Sequence, residues 1–332
     1  MSNLELEISE APAAVGRVWG SNRALWPELA RRFRAARPAA LFTLARGSSD
    51  AAASFAAYRL AAGLGLMTGS LPPSLAGFAS SALRAPGVWI LAISQSGQSA
   101  DLVEALRRLR AGAEPGLCLA LVNQTDSPLA QAAERVLEQA AGPERSVAAT
   151  KSFQASLAGV DALAAALGGE DGEARLAALA LRLAQPIGQV AGLEALVAAR
   201  SALVLARGAA LAAAQEVALK LKEAAGLHAE AVSAAEVMHG PKALAARGVA
   251  VLALIGRGPL GQTTREAAAH LERLGAPLAR IELPADLGPE CPLDHDPALL
   301  VQAFYRRLPG LARERGQDPD RPPHLSKVTS TR

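Results

Sequence analysis

Aromatic side chains make up only 3% of the 332 residues, so surfaces on which nucleobases could stack are scarce. The net charge of +3 is spread thinly: Arg and Lys alternate with Glu and Asp, and no basic run tracks a phosphate backbone. Nucleic acid is not an expected partner. Long apolar runs are also missing, since stretches such as "ALVLARGAALAAA" are broken by Arg207, well short of the ~20 uninterrupted residues of a membrane span. The N-terminus, "MSNLELEISEAP", is acidic and lacks the positive and apolar regions of a secretory signal, so a cytoplasmic protein is expected, with no membrane partner. Cysteine occurs twice, at Cys118 in "GLCLALV" and at Cys291 before Pro292, and both read as unpaired thiols without catalytic duty. No GxGxxG follows an expected strand, and His228 and His239 with their neighbouring glutamates fit no HExxH or CxxC spacing. Neither a cofactor nor a metal is expected.

What remains is 51% apolar and rich in alanine, enough to bury a large core in one or two domains of mainly helix-forming sequence. Two segments repeat: "LFTLARGSSDAAASFAAYRLAAGLG" from Leu41 and "ALVLARGAALAAAQEVALKLKEAAGL" from Ala202. Gly47 aligns with Gly208, and the same displacement of 161 carries Val88 of "VWILAISQSG" onto Val249 of "VAVLALIGRG". Each copy alternates short apolar runs with helical patterns, which predicts an α/β fold of two duplicated, doubly wound parallel sheets. Expected strands lie near 41–46, 65–69, 88–94 and 117–122, then 202–207, 249–255 and 277–282. Expected helices lie near 49–63, 98–112 and 127–134, then 210–226, 261–274 and 298–315. The alanine- and leucine-rich stretch from about 150 to 200 predicts a helical hairpin joining the halves.

Ligands of open parallel sheets sit beyond the carboxyl ends of the strands. "SQSGQS" follows one such strand and "RGSS" another, so Ser94, Ser96 and Ser99 with Ser48 and Ser49 predict an anion cradle of hydroxyls and helix-start N–H groups. Simple helix capping would explain one serine and not five. The second copy has "LIGRGPL" and Ala209-Ala210 at these places. Its first helix instead carries Glu216, Lys220 and Glu223, where the first copy has Phe55, Arg59 and Ala62. Spacings of four and three set the three charges on one face, with Lys222 on another. Alone, they could be a solvated salt-bridge ladder. The following "HAEAVSAAEVMHGPKAL" adds Glu230, Glu236 and His239 in a stretch punctuated by Gly and Pro.

Four motifs in order, "SQSGQSADLVEAL", "SVAATKSF", "ALKLKEAAGLHAEAVSAAEVMHGPKAL" and "DPDRPPHLSKVTSTR", resemble the sugar-isomerase (SIS) half of glucosamine-6-phosphate synthase and its stand-alone relatives. The resemblance implies flavodoxin-like SIS subdomains at 36–165 and 199–315, a helical segment at 1–35, a helical linker at 166–198, and a tail at 316–332 that closes over the active site. It implies phosphate contacts from Ser94, Gln95, Ser96 and Ser99, sugar-side contacts from Ser48 and Ser49, and substrate contacts from Val147 and Ala148. It makes Glu223 the base between C1 and C2, Lys220 the partner of the developing oxygen charge, and Glu216 an orienting group. His239 would open the sugar ring from a neighbouring subunit of a homodimer, and Lys327 would close over the sugar. The synthase's glutaminase domain has no counterpart in the roughly forty residues before the first strand, so glutamine hydrolysis is expected to be absent.

The sequence departs from the synthases at Arg46 before "GSS", at Ala149 in "VAATK", and in the tail "SKVTSTR". The last two resemble the stand-alone deaminases, which convert glucosamine 6-phosphate and water to fructose 6-phosphate and ammonia. Alternatives are a deaminase or isomerase of another phosphosugar such as galactosamine 6-phosphate, a deglycase of fructosamine phosphates, or a noncatalytic sugar-phosphate sensor.

Overall fold

Uninterrupted apolar runs such as "LCLALV" and "AVLALI" are buried at every position and form the middles of two sheets. The computed structural model describes residues 1–75, 86–111 and 116–327. They divide into one unit of residues 13–144 and 151–177 and another of residues 1–12, 145–150 and 178–327. In the first unit, β1 (Ala40–Leu44), β2 (Met67–Ser70), β3 (Val88–Ser94), β4 (Leu117–Val122) and β5 (Arg135–Glu138) pair in parallel in the order β2-β1-β3-β4-β5. In the second, β6 (Gln189–Ala191), β7 (Ser201–Ala206), β8 (His228–Ser233), β9 (Ala250–Ile255) and β10 (Leu278–Glu282) take the order β6-β10-β9-β7-β8. Only β6 runs antiparallel to its neighbour among these described strands.

The sequence repeat is a repeat of register. Moved by 161 positions, the first residues of β1, β2, β3 and β4 fall on 201, 228, 249 and 278, within one residue of the starts of β7, β8, β9 and β10. Both sheets therefore share the order of their four equivalent strands.

The first unit buries the helix Lys151–Gly168 on all sides, against the helices Ser48–Leu64 and Trp26–Ala36. Within that packing Arg59 Nε meets Asp161 Oδ1 at 2.7 Å with both side chains buried, and its other nitrogen reaches Glu170 at 2.7 Å. In the second unit the helix Leu211–Ala225 lies against β7 and β8 and against the helices Asp296–Tyr305 and Leu308–Glu314. Gly226, at φ 58°, ends it in the left-handed conformation that a residue with a Cβ avoids.

Three strands, β5, β6 and β8, form where no strand is expected from the sequence. The single helix expected near 298–315 is two, Asp296–Tyr305 and Leu308–Glu314, parted at Arg306 and Arg307. Pro309 has no N–H to continue the first helix but fits the opening turn of the second. The expected end of a helix at 112 and the tail beyond 327 lie outside the described residues. Among the described residues, no helix is long and apolar enough to cross a membrane.

Candidate active site

The serine-rich loops sit at the carboxyl ends of neighbouring strands in the first sheet. After β1, Gly47 leads into the helix that begins at Ser48, with Ser48 and Ser49 half-buried. After β3, the chain turns through Ser94 to Ser99 into the helix Ala100–Ala111. The turn is self-supported. Ser94 Oγ accepts the Gly97 N–H at 3.0 Å, Ser96 Oγ accepts the Gln98 N–H at 3.3 Å, and the Gln95 carbonyl accepts the Asn123 N–H at 3.1 Å. Gly97 stands at φ 62°, and a Cβ there would lie 2.0 Å from Ser127 Oγ. The hydroxyls of Ser94 and Ser96 thus fix the loop with their lone pairs and keep their protons for donation. At the mouth, Arg46 Nε pairs with Asp101 Oδ2 at 2.5 Å, so the first-turn carboxylate of Ala100–Ala111 is neutralised by a cation from the other loop. The sequence marked Arg46 only as a departure, and Asp101 carried no expectation.

In the second unit, Glu216, Lys220 and Glu223 do share a face of the helix Leu211–Ala225, and they are not a solvated ladder. Lys220 Nζ lies 2.5 Å from Glu223 Oε2 and 3.4 Å from Glu216 Oε1; the side chains of Glu216 and Lys220 are 0% and 1% exposed, that of Glu223 26%. Lys222 points to solvent on another face. Lys220 sits between two carboxylates, and the arrangement leaves one of them, Glu223, at the edge of solvent. The sequence missed Tyr305. Its buried hydroxyl donates to Glu216 Oε1 at 2.5 Å and lies 3.4 Å from the carbonyl of Ala149. Nothing local in "LLVQAFYRR" announces this contact, which joins residues 89 apart in sequence.

Val147 is half-buried and Ala148 wholly buried, so Ala148 can offer a ligand only its backbone. Their loop is anchored from the N-terminal helix, where the Glu7 carboxylate accepts the N–H groups of Arg145 and Ser146. His239 is exposed, between the turn Glu236–Met238 and Pro241, which opens the short helix Lys242–Ala245. His228 and Glu230 project from the exposed face of β8. Lys327 is half-buried at the end of the described chain, where Asp320 accepts the first N–H groups of the helix Asn3–Ser21 at 2.8 and 2.9 Å. Both cysteines are buried, and burial with the nearby Glu134 carboxylate pushes the Cys118 thiol up to about 12. Among the described residues, no three His, Cys, Asp or Glu side chains gather as metal ligands would.

The SIS domain model matches residues 36–166 and 195–283, which together hold both sheets' central strands, the serine loops and the helix Leu211–Ala225. The chain belongs to the SIS family. Among curated relatives, the glutamine–fructose-6-phosphate aminotransferase (isomerizing) of Pyrobaculum aerophilum is 35% identical over 72% of this SIS chain and 43% of its own length, and that of Methanothermobacter thermautotrophicus is 32% identical over 72% and 42%. The SIS chain therefore spans less than half the length of these relatives. Among solved structures, a Silicibacter pomeroyi protein described as a phosphosugar isomerase superposes with a TM-score of 0.85 at 35% identity, covering 96% of this chain and all of that one. The glucosamine-6-phosphate deaminase of Thermotoga maritima superposes at 0.75 with 20% identity over 99% of this chain and all of that one, a likeness of fold.

Chemically, the two SIS halves offer different things. One presents hydroxyls and a helix start suited to a phosphate. The other presents a closely paired Lys220 and Glu223 in place of the serine loops, a combination suited to moving a proton at carbon.

Proposed function

We propose that this protein is an amino-sugar-phosphate deaminase that converts glucosamine 6-phosphate and water to fructose 6-phosphate and ammonia, as a homodimer with His239 working across the interface. The observation that carries the reading is the buried Glu216–Lys220–Glu223 cluster on a SIS scaffold, with Glu223 alone reaching solvent. Ser48, Ser49, Ser94, Gln95, Ser96 and Ser99 hold the phosphate and so fix the carbon chain. His239 helps open the ring. Glu223 takes the C2 proton of the open-chain aldehyde, giving an enolamine whose C1 oxygen charge faces Lys220. Returning the proton to C1 leaves a ketimine at C2, and water hydrolyses it to the ketone and ammonia. Val147 and Ala148 contribute backbone contacts, and Lys327 closes over the sugar. Cys118 does not serve as a nucleophile for glutamine, because it is buried with its thiol pushed up to about 12, and the thiolate and not the thiol attacks.

The test is ammonia release from glucosamine and galactosamine 6-phosphates, followed with identification of the ketose. Ammonia and fructose 6-phosphate in equal amounts, with no glutamate formed from glutamine, are expected. A protein that binds these sugars tightly and turns over none is the noncatalytic sensor, and the reading fails. Preference for the galactosamine ester, or release of amine only from fructosamine phosphates, reassigns the substrate.

A further inference from the structure

Lys220 stands between two carboxylates at unequal distances, 2.5 Å from Glu223 and 3.4 Å from Glu216. Coulombic attraction alone gives no reason for that inequality, since the more deeply buried Glu216 has the greater need of a cation. The asymmetry has a visible source. Tyr305 closes the helix Asp296–Tyr305 with its ring fully buried, and its hydroxyl meets Glu216 Oε1 at 2.5 Å, the same oxygen that Lys220 approaches only loosely. A short phenol–carboxylate bond is charge-assisted and supplies much of the stabilisation a buried anion requires. Tyr305 has one proton to donate, and the 2.5 Å contact to Glu216 takes it in preference to the Ala149 carbonyl at 3.4 Å.

We propose that Tyr305 is a positioning residue that holds Glu216 and thereby leaves the Lys220 ammonium on Glu223, where the proton transfer assigned to Glu223 needs it. The inference rests on the proposed function for its catalytic meaning and on the distances alone for its geometry. Without the phenolic donor, Glu216 satisfies its charge by drawing Lys220 back, and the ammonium moves one helical position away from the reacting face. Tyr305 acts through Glu216 and needs no contact with the sugar.

Tyr305→Phe removes only the hydroxyl. We expect kcat for ammonia release to fall roughly tenfold with KM within about twofold, because the loss concerns the proton transfer and not phosphate binding. In a Glu216→Gln background the same substitution should change kcat by less than about twofold, since the intermediary is gone. Equal losses in both backgrounds, or a rise in KM alone, would overturn the proposal. A crystal structure of Tyr305→Phe should show Lys220 Nζ nearer Glu216 than Glu223, and an ammonium still seated on Glu223 would refute it. This structural readout stands even if the wild-type protein turns over no amino-sugar phosphate, an outcome that defeats the proposed function separately. Should the phenylalanine variant fold poorly, 4-fluorophenylalanine at position 305 fills the hydroxyl's space without a proton and should give the same shift, while 4-aminophenylalanine restores a donor and should return Lys220 to Glu223.

Discussion

Arg59 and Lys220 occupy equivalent places, 161 positions apart, and both are buried cations on the first helix of their half. Their chemistry separates their uses. Arg59 divides its rigid fork between Asp161 and Glu170 at 2.7 Å each, and Arg175 meets Asp161 as well at 2.8 Å, so that cluster is fully satisfied and joins three helices and a loop. Lys220 is a compact charge on a flexible stem, able to follow a developing anion, and its neighbour Glu223 is the one carboxylate of the set at the surface of the cluster. The Cys118 thiol lies near the start of β4, held up to about 12 first by burial and then by the Glu134 carboxylate, which accepts the Cys118 N–H at 2.9 Å. An unfolded cysteine ionises near ~8.5, so this group favours the folded state fully below that value and loses its contribution as pH climbs from about 9 toward 12. Within that window it should remove on the order of 1 kcal/mol of stability per pH unit. Denaturant midpoints from pH 7 to 10.5 should therefore fall more steeply for the wild type than for Cys118→Ala, whatever the offset between them at pH 7. Parallel slopes would show that the thiol does not contribute.

The cradle after β3 depends on a single backbone position. Gly97 has φ 62°, and a Cβ there would strike Ser127 Oγ at 2.0 Å and Ser127 Cβ at 2.6 Å. Ser127 cannot simply swing aside, because its own hydroxyl caps the helix Pro128–Ala132 by accepting the Ala130 N–H. Gly97→Ala should therefore cost about 1–3 kcal/mol of stability from the left-handed backbone and the displaced cap together. Inorganic phosphate, as a competitive probe, should bind the variant at least tenfold more weakly while the far-ultraviolet circular dichroism stays unchanged. Retained phosphate affinity would place the anion elsewhere. The elements around this loop were the legible part of the sequence: β3, β4 and β9 carry unbroken apolar runs because they are covered on both faces. Illegible were β5, β6 and β8, which are edges of their sheets, four, three and six residues long, and need no continuous apolar run. The repeat held the missing signal for one of them. Residues 67–70 moved by 161 positions give 228–231, the first four residues of β8. The charged face of the helix Leu211–Ala225 was legible from spacing, whereas the Tyr305 and Arg46–Asp101 contacts arise only from tertiary packing.

At the scale of the whole molecule, duplication lets each half specialise, and the proposed dimer carries that division further. His239 sits exposed on a short turn closed by Pro241, whose fixed backbone limits the motion of the tip, so its imidazole is presented outward to whatever docks there. In a two-fold dimer each site then takes Glu223 from one chain and His239 from the other. Glu223→Gln and His239→Asn proteins, prepared separately, should each lose nearly all deaminase activity, the first because it lacks the base and the second because the ring stays closed. Mixed under conditions of subunit exchange, half the dimers become heterodimers, and in each of these one site collects both defects while the other has none. Random exchange of equal amounts should therefore restore roughly a quarter of wild-type sites. Exchange is verified independently by native mass spectrometry of chains with different tags. If both residues serve their own chain's site, every site stays defective and mixing restores nothing, which would remove His239 from the interface and leave Glu223 as the base of a self-contained subunit.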